Sequence, residues 1–126
     1  MSRPRPCPCG AALSYADHCG PLHRGDAVAS SAEDLMRSRY SAFVVGEAAY
    51  LQATWHPSTR PKRLDLDSRI QWTGLEVLFA AGGPFDTKGT VEFRANYVGG
   101  SQHERSSFLR EGGRWFYVDG VTGARG

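Results

Sequence analysis

Val91-Glu92-Phe93-Arg94-Ala95-Asn96-Tyr97-Val98-Gly99-Gly100 is the stretch whose reading decides the fold. Val91, Phe93, Ala95 and Tyr97 alternate with Glu92, Arg94 and Asn96, the period-two pattern of a strand with one buried face. The diglycine behind it reads as a tight hairpin turn. A second pair, Gly112-Gly113, predicts another turn, with strands over about 102–110 and 114–118. Upstream, Ile70, Trp72, Leu75, Val77 and Phe79 form a further strand, with Gly74 where a bulge would restore the alternation and Gly82-Gly83-Pro84 as its end. If each diglycine is a two-residue loop, Val98 faces Ser101 and Glu111 faces Arg114. That register puts Val91, Phe93, Tyr97, Phe108, Trp115 and Tyr117 on one face with Glu104, Ser106 and Asp119. Glu92, Arg94, Asn96, His103 and Arg105 take the other, with Leu109, Phe116 and Val118 at its far end.

Ahead of the strands the period is helical. Ser30 with Glu33 fits a capping box, Ser31 is a competing cap, and Glu33 and Asp34 put negative charge in the first turn. Leu35, Met36, Tyr40, Phe43 and Val44 make one apolar face, and Gly46 breaks or bends the helix. Residues 47–54 supply a second helical piece with Ala48, Tyr50, Leu51 and Trp55 inward, stopped by Pro57. Two helices followed by a curved antiparallel sheet define an α+β fold.

At 126 residues the chain has room for one core plus a small appendage. No apolar run approaches the roughly 20 residues that span a bilayer, and Met1 to Pro6 has no apolar stretch behind it, so no secretory signal is expected. The net charge of +2 is small, and the basic residues Arg3, Arg5, Arg60, Lys62 and Arg63 are offset by Asp65 and Asp67. That balance argues against a nucleic-acid partner, which calls for one-sided charge with interleaved aromatics.

The densest chemistry lies at the front, where Cys7-Pro8-Cys9-Gly10 is followed by His18-Cys19. Three thiols and an imidazole suit a structural zinc ion, which takes thiolate and imidazole donors in a tetrahedron. A Cys7–Cys9 disulfide would close a very short, strained ring, and an odd cysteine count without a signal argues against an oxidised framework. Thiols kept for metal place the protein in the cytoplasm. The fourth donor is open between His18 and His23.

Cys7-x-Cys9-x8-His18-Cys19 resembles the SEC-C zinc motif. The run from Ala32 to Phe43, Thr54-Trp55-His56-Pro57, His103-Glu104 and Gly113-Arg114-Trp115-Phe116-Tyr117-Val118-Asp119-Gly120 resemble the bacterial YchJ family. The resemblance implies a nuclear-transport-factor-2-like (cystatin-like) cone, with 1–25 as the zinc knob and 26–126 as the α+β domain. It implies Cys7, Cys9, His18 and Cys19 as the metal set, His18 filling the ligand position. Two departures stand out: the motif's third cysteine is His18 here, and the basic and glycine residues after the second cysteine are Ala11, Ala12 and Leu13. The second removes the local charge that the translocase tail, the motif's namesake, presents to its partners.

Tyr40, Trp55, His56, Glu104 and Asp119 are the residues expected to line any cavity of the cone. Carboxylates there could act as bases, His56 could add proton transfer near neutral pH and Tyr40 could orient a substrate. Alternatively, Glu104 and Asp119 pair with Arg37 and Arg39, and Asp119-Gly120 is a plain turn. No nucleophile elbow, phosphate-binding glycine loop or HExxH pair is present. A zinc ion with four protein donors lacks the open position that catalysis needs, so no catalytic residue is assigned. The leading expectation is a non-enzymatic zinc-binding adapter with a protein partner at the knob. The alternative is a small-molecule-binding protein or enzyme using the cavity. Leu109, Phe116 and Val118 allow either a dimer or cover by the knob.

Overall fold

The computed structural model describes residues 6–10, 13–64, 66–67 and 69–122. Arg3, Arg5, Ala11, Ala12 and Asp65, which entered the reading of charge and motif, lie outside the described residues. Three helices, α1 (Cys19–Arg24), α2 (Ala32–Val45) and α3 (Ala48–Ala53), precede strands β1 (Trp72–Ala81), β2 (Lys88–Tyr97), β3 (Gly100–Glu111) and β4 (Arg114–Thr122). The strands form one antiparallel sheet in the order β1-β2-β3-β4, and α2 packs across it. The expected α+β architecture, helices on a curved sheet with a cysteine-rich knob in front, is what the chain adopts.

Ser31, not Ser30, caps α2: its hydroxyl accepts the Asp34 N–H at 3.1 Å, a contact worth about 1 kcal/mol. Ser30 instead donates to the Asp34 carboxylate at 2.7 Å. At the other end Gly46 takes a left-handed conformation (φ 85°) and its N–H bonds to the Ala42 carbonyl. The predicted apolar face is only partly right. Leu35, Met36 and Tyr40 are buried, but Phe43 and Val44 are each 38% exposed, whereas Ser38, Arg39 and Ser41 are buried. The helix has elements on two sides, so its small polar residues meet the knob and α3 while the large ones meet the sheet. Leu35 and Leu51 are fully enclosed, each contributing roughly 1.5–3 kcal/mol relative to exposure.

Both hairpins are two-residue loops, but the first is displaced. Tyr97 faces Gly100, leaving Val98-Gly99 as the turn rather than Gly99-Gly100. Only Gly99 has positive φ (99°), the requirement of a type II turn at its second central position. Gly100 stays in the strand, where a Cβ would come within 3.1 Å of the Tyr97 hydroxyl. The shift moves β3 by two residues, an even number, so every side chain keeps its predicted face. The second turn is as expected, Glu111 facing Arg114 across Gly112 and Gly113, both with positive φ.

Bulges account for the remaining differences. β1 slips at Thr73, beside Gly74 as expected, and again between Val77 and Phe79. The second slip turns Phe79 to the convex side, where it is 52% exposed. In β4 an extra residue, Val118, separates the Phe108–Tyr117 pair from Ser107–Asp119, so β4 runs on to Thr122 with its faces exchanged. The Val118 carbonyl accepts the Thr59 hydroxyl at 2.6 Å. Asp119 is therefore neither a plain turn residue nor a neighbour of Glu104.

The convex face carries Glu92 between His103 (2.6 Å) and Arg105 (3.3 Å). His103 first, then Arg105, hold the Glu92 carboxyl below the usual carboxylate range. A depressed carboxyl stabilises the fold above its unfolded pKa, and that contribution disappears as pH falls through the lower, folded value. His103→Ala is expected to move the Glu92 titration, followed by carboxyl-carbon NMR, back up toward the ordinary range.

Candidate functional site

The knob is built by turns. Pro6 bridges Ser14, the Cys7 N–H bonds to the Leu13 carbonyl at 3.1 Å, and Gly10 (φ 86°) returns an N–H to the Cys7 carbonyl at 3.1 Å. A single 3-10 turn, Tyr15–Asp17, leads into α1, which places Cys19 opposite. The three Sγ atoms and His18 Nδ1 all lie within 4.8 Å of one another. Cys7, Cys9 and Cys19 approach Nδ1 at 3.4, 3.3 and 3.4 Å, and Cys9 approaches Cys7 at 3.5 Å. Zn–S bonds of about 2.3 Å and Zn–N bonds of about 2.0 Å set tetrahedral edges of roughly 3.5–3.8 Å, so the donors stand at close to metal-binding spacing. This set could hold a metal ion.

The surroundings suit a cation. All three cysteines are buried, and the Cys19 thiol is pushed strongly up, first by its hydrogen bond to Cys9 and then by burial. Packing thiolates together in such a place is uphill unless a positive ion sits among them. Helix α2 supplies the outer contacts: Arg37 donates to the Cys9 carbonyl at 2.9 Å while pairing with Glu33 at 2.9 Å, and Ser41 lies 3.7 Å from Cys7 Sγ. His23 is turned away from the cluster. Its Nε2 donates to the Ser38 carbonyl at 2.8 Å, and its Nδ1, 2.6 Å from the Tyr15 hydroxyl, is left to accept. Burial first lowers the His23 pKa, favouring that neutral ring.

Behind α2, on the concave side of the sheet, is a cavity of about 340 Å³. Of the residues proposed for a cavity, Tyr40, Trp55 and Glu104 line it, and His56 and Asp119 do not. The reason for His56 is an edge contact. The backbone of 54–56 docks beside β4, Tyr117 N–H to the Thr54 carbonyl at 2.8 Å and His56 N–H to the Tyr117 carbonyl at 2.7 Å. Successive residues of an extended segment point to opposite sides. Trp55 thus meets Tyr117 in the cavity (5.0 Å between centroids) and His56 meets Phe116 on the other side (5.9 Å), with Glu111 3.0 Å from its Nε2.

Two polar residues of the cavity floor matter most. Glu104 accepts the Ser106 hydroxyl at 2.5 Å and Gln102 Nε2 at 3.3 Å, and its carboxylate occupies the space a side chain at Gly120 would need. It pairs with neither Arg37 nor Arg39. Arg39, which the sequence suggested only as a partner for a carboxylate, is 5% exposed and stacks over Tyr117 (4.5 Å) and Trp55 (5.3 Å). Burial lowers its pKa to about 10, still well charged at neutral pH. The Tyr117 hydroxyl is pushed up to about 12 by burial and then by the Glu104 charge. A buried arginine on a helix face otherwise read as apolar was the one available signal, and periodicity alone does not reveal it.

Comparison with known proteins finds chains of similar sequence and fold. The family described as "YchJ, middle NTF2-like domain" matches residues 31–120. A UPF0225 protein of Streptomyces coelicolor is 61% identical over 116 residues, covering 91% of this chain and 94% of its own. One from Deinococcus radiodurans is 43% identical over 133 aligned positions, covering 94% and 98%. The solution structure of a SEC-C motif containing protein from Rhodopseudomonas palustris is 36% identical, with a TM-score of 0.80 over 91% of this chain and 96% of that one. The crystal structure of a SEC-C motif containing protein from Psychrobacter arcticus is 29% identical, with a TM-score of 0.74 over 98% and 85%. The match begins at the cap of α2 and runs through the cavity-bearing sheet, and on that ground the chain belongs to the YchJ family of NTF2-like, UPF0225 proteins.

Proposed function

We propose that this protein binds a small molecule in the cone, and that a structural zinc ion at Cys7, Cys9, His18 and Cys19 holds the wall of the binding site in place. The observation that carries this reading is the double use of α2. One side of the helix contacts the metal donors through Arg37 and Ser41, and Met36, Arg39, Tyr40 and Phe43 of the same helix line the cavity. Three thiolates and an imidazole favour zinc over harder cations, and four protein donors leave the ion no open position for chemistry. The ion's role is therefore structural rather than catalytic, in a reducing compartment such as the cytoplasm, where the thiols stay available.

The test is elemental analysis of protein purified without chelator, expected to find about one zinc per chain, beside ligand titration before and after metal removal. His18→Ala is expected to lose the metal and His23→Gln to keep it, because both His23 nitrogens are already engaged. The reverse result would make His23 the fourth donor. Full ligand binding by the metal-free protein would separate the ion from the cavity.

A second reading, a protein-interaction module, is favoured by apolar residues on and beside the knob: Leu13 and Val28 are 52% and 55% exposed. A partner captured by the intact protein and lost on chelation, with the cone still folded, would support it. No helix among the described residues is long and apolar enough to cross a membrane.

A further inference from the structure

We infer that the cone's cavity takes a small dipolar molecule, an aromatic body bearing a carboxylate beside a hydrogen-bond donor, the chemistry of an aromatic amino or hydroxy acid. This rests on the small-molecule reading above and names the ligand class. Arg39 is the first observation. Its Nη1 donates to the Leu51 carbonyl at 2.8 Å and to Thr54 Oγ1 at 2.7 Å, and neither Nε nor Nη2 makes a hydrogen bond among the described residues. No carboxylate of those residues lies within ion-pair distance of it. A guanidinium this deeply buried stays charged, and its fork geometry matches a carboxylate. The aromatic faces of Tyr117 and Trp55 hold it in place and leave the remaining donors for a ligand anion.

Glu104 is the second observation. It lines the same cavity, and Arg39 and Glu104 both act on Tyr117, yet the two charges do not join. Asp67 also lines the cavity but is already held by Arg69 at 3.0 Å, so Arg39 and Glu104 are the opposite charges left to select a molecule with both an acceptor and a donor. A plain anion would face Glu104, and a plain cation would face Arg39. An ionised carboxylate has about four lone-pair sites; Ser106 and Gln102 take two and the Tyr117 hydroxyl is a third partner, so Glu104 keeps capacity for one ligand N–H or O–H. Tyr40, Phe43, Trp72, Phe93 and Phe108 supply flat walls for the body. The volume of about 340 Å³ sits at the small end of ligand pockets, which admits one ring and a short polar tail.

The experiment titrates the zinc-loaded, full-length protein with phenylalanine, 3-phenyllactate, 3-phenylpropionate, phenethylamine and toluene. Calorimetry gives affinity, and the fluorescence of Trp55 and Trp72, which line the cavity, reports occupancy. Phenylalanine or phenyllactate is expected to bind about tenfold or more tightly than phenylpropionate or phenethylamine, since each of these lacks one of the two hydrogen-bonding ends that meet a charged group. Arg39→Lys is expected to shrink the preference over phenethylamine, and Glu104→Gln the preference over phenylpropionate. The wild-type series decides the matter even if a variant misfolds. Equal affinity across the series overturns the dipolar class and leaves a plain apolar pocket. Binding by none of the polar probes while toluene changes the fluorescence overturns the class alone; silence from toluene as well overturns the cavity as a ligand site.

Discussion

Purified Cys9→Ala and Cys19→Ala proteins are expected to carry far less than one equivalent of zinc and to unfold several kcal/mol more easily than the parent. Both side chains are fully buried, and each belongs to the four-donor cluster. Metal binding to such clusters supplies roughly 10–16 kcal/mol in isolated zinc-finger peptides, so loss of one ligand forfeits a large part of what orders the knob. The effect reaches further here. Cys7, Cys9 and Cys19 pack in one cluster with Leu35, Met36, Tyr40, Phe93 and Trp115, and the Cys9 carbonyl anchors Arg37 of α2. The measurements are zinc content by elemental assay and thermal unfolding with and without chelator. A parent protein that carries no zinc, with a Cys9→Ala variant that unfolds alongside it, would show that the thiols are core packing and no metal site; zinc kept in full by Cys9→Ala would remove Cys9 from the donor set. Acid should mimic the substitutions, because protons compete with the ion for thiolates and imidazole.

Gly89→Ala should destabilise the cone by about 3 kcal/mol, lowering the melting temperature by roughly 10 °C. A Cβ at Gly89 would lie 2.6 Å from the Ala32 Cβ, 2.7 Å from the Ala81 carbonyl oxygen and 3.2 Å from the Trp115 ring. Two of those neighbours are backbone or a short side chain rooted in it, so nothing can swing aside. The position is where the first turn of α2 rests on the β1–β2 hairpin, and the Gly82 carbonyl there accepts the Ala32 N–H at 3.0 Å. Gly74→Ala provides the contrast: nothing lies within 4 Å of a Cβ there, and the change is expected to stay within about 0.5 kcal/mol. Similar losses at both positions, by chemical denaturation, would mean that the helix does not seat on the hairpin as described.

The strands and helices were legible because their signals are local. Val91, Phe93 and Ala95 alternate, Ser30 or Ser31 and Gly46 bracket a helix, and the two diglycines mark the hairpins to within one residue; each acts within a few residues of itself. Cys7, Cys9, His18 and Cys19 were legible as a group because two close pairs of donor side chains on a short loop are a residue pattern that suits a metal, and the fold does bring the four atoms within 4.8 Å of one another. Phe79, Asp119 and His56 were misplaced because their orientation depends on a single extra residue in a ladder or on which edge a segment docks. A bulge reverses every later side chain and leaves almost no mark on composition.

What the linear order of residues determined alone is the alternation of β2, the extent of α2 and the grouping of four candidate metal donors. What the packed chain decided is that Arg39 and Glu104 enter one chamber without meeting. Arg39 comes from a helix and Glu104 from a strand, 65 positions apart in the chain. Only the docking of α2 across the sheet, held at the knob by Arg37 and at the hairpin by Ala32, sets how far apart those charges sit. Pairwise attraction between distant residues acts through space and through the shape of the core, and no local pattern encodes it.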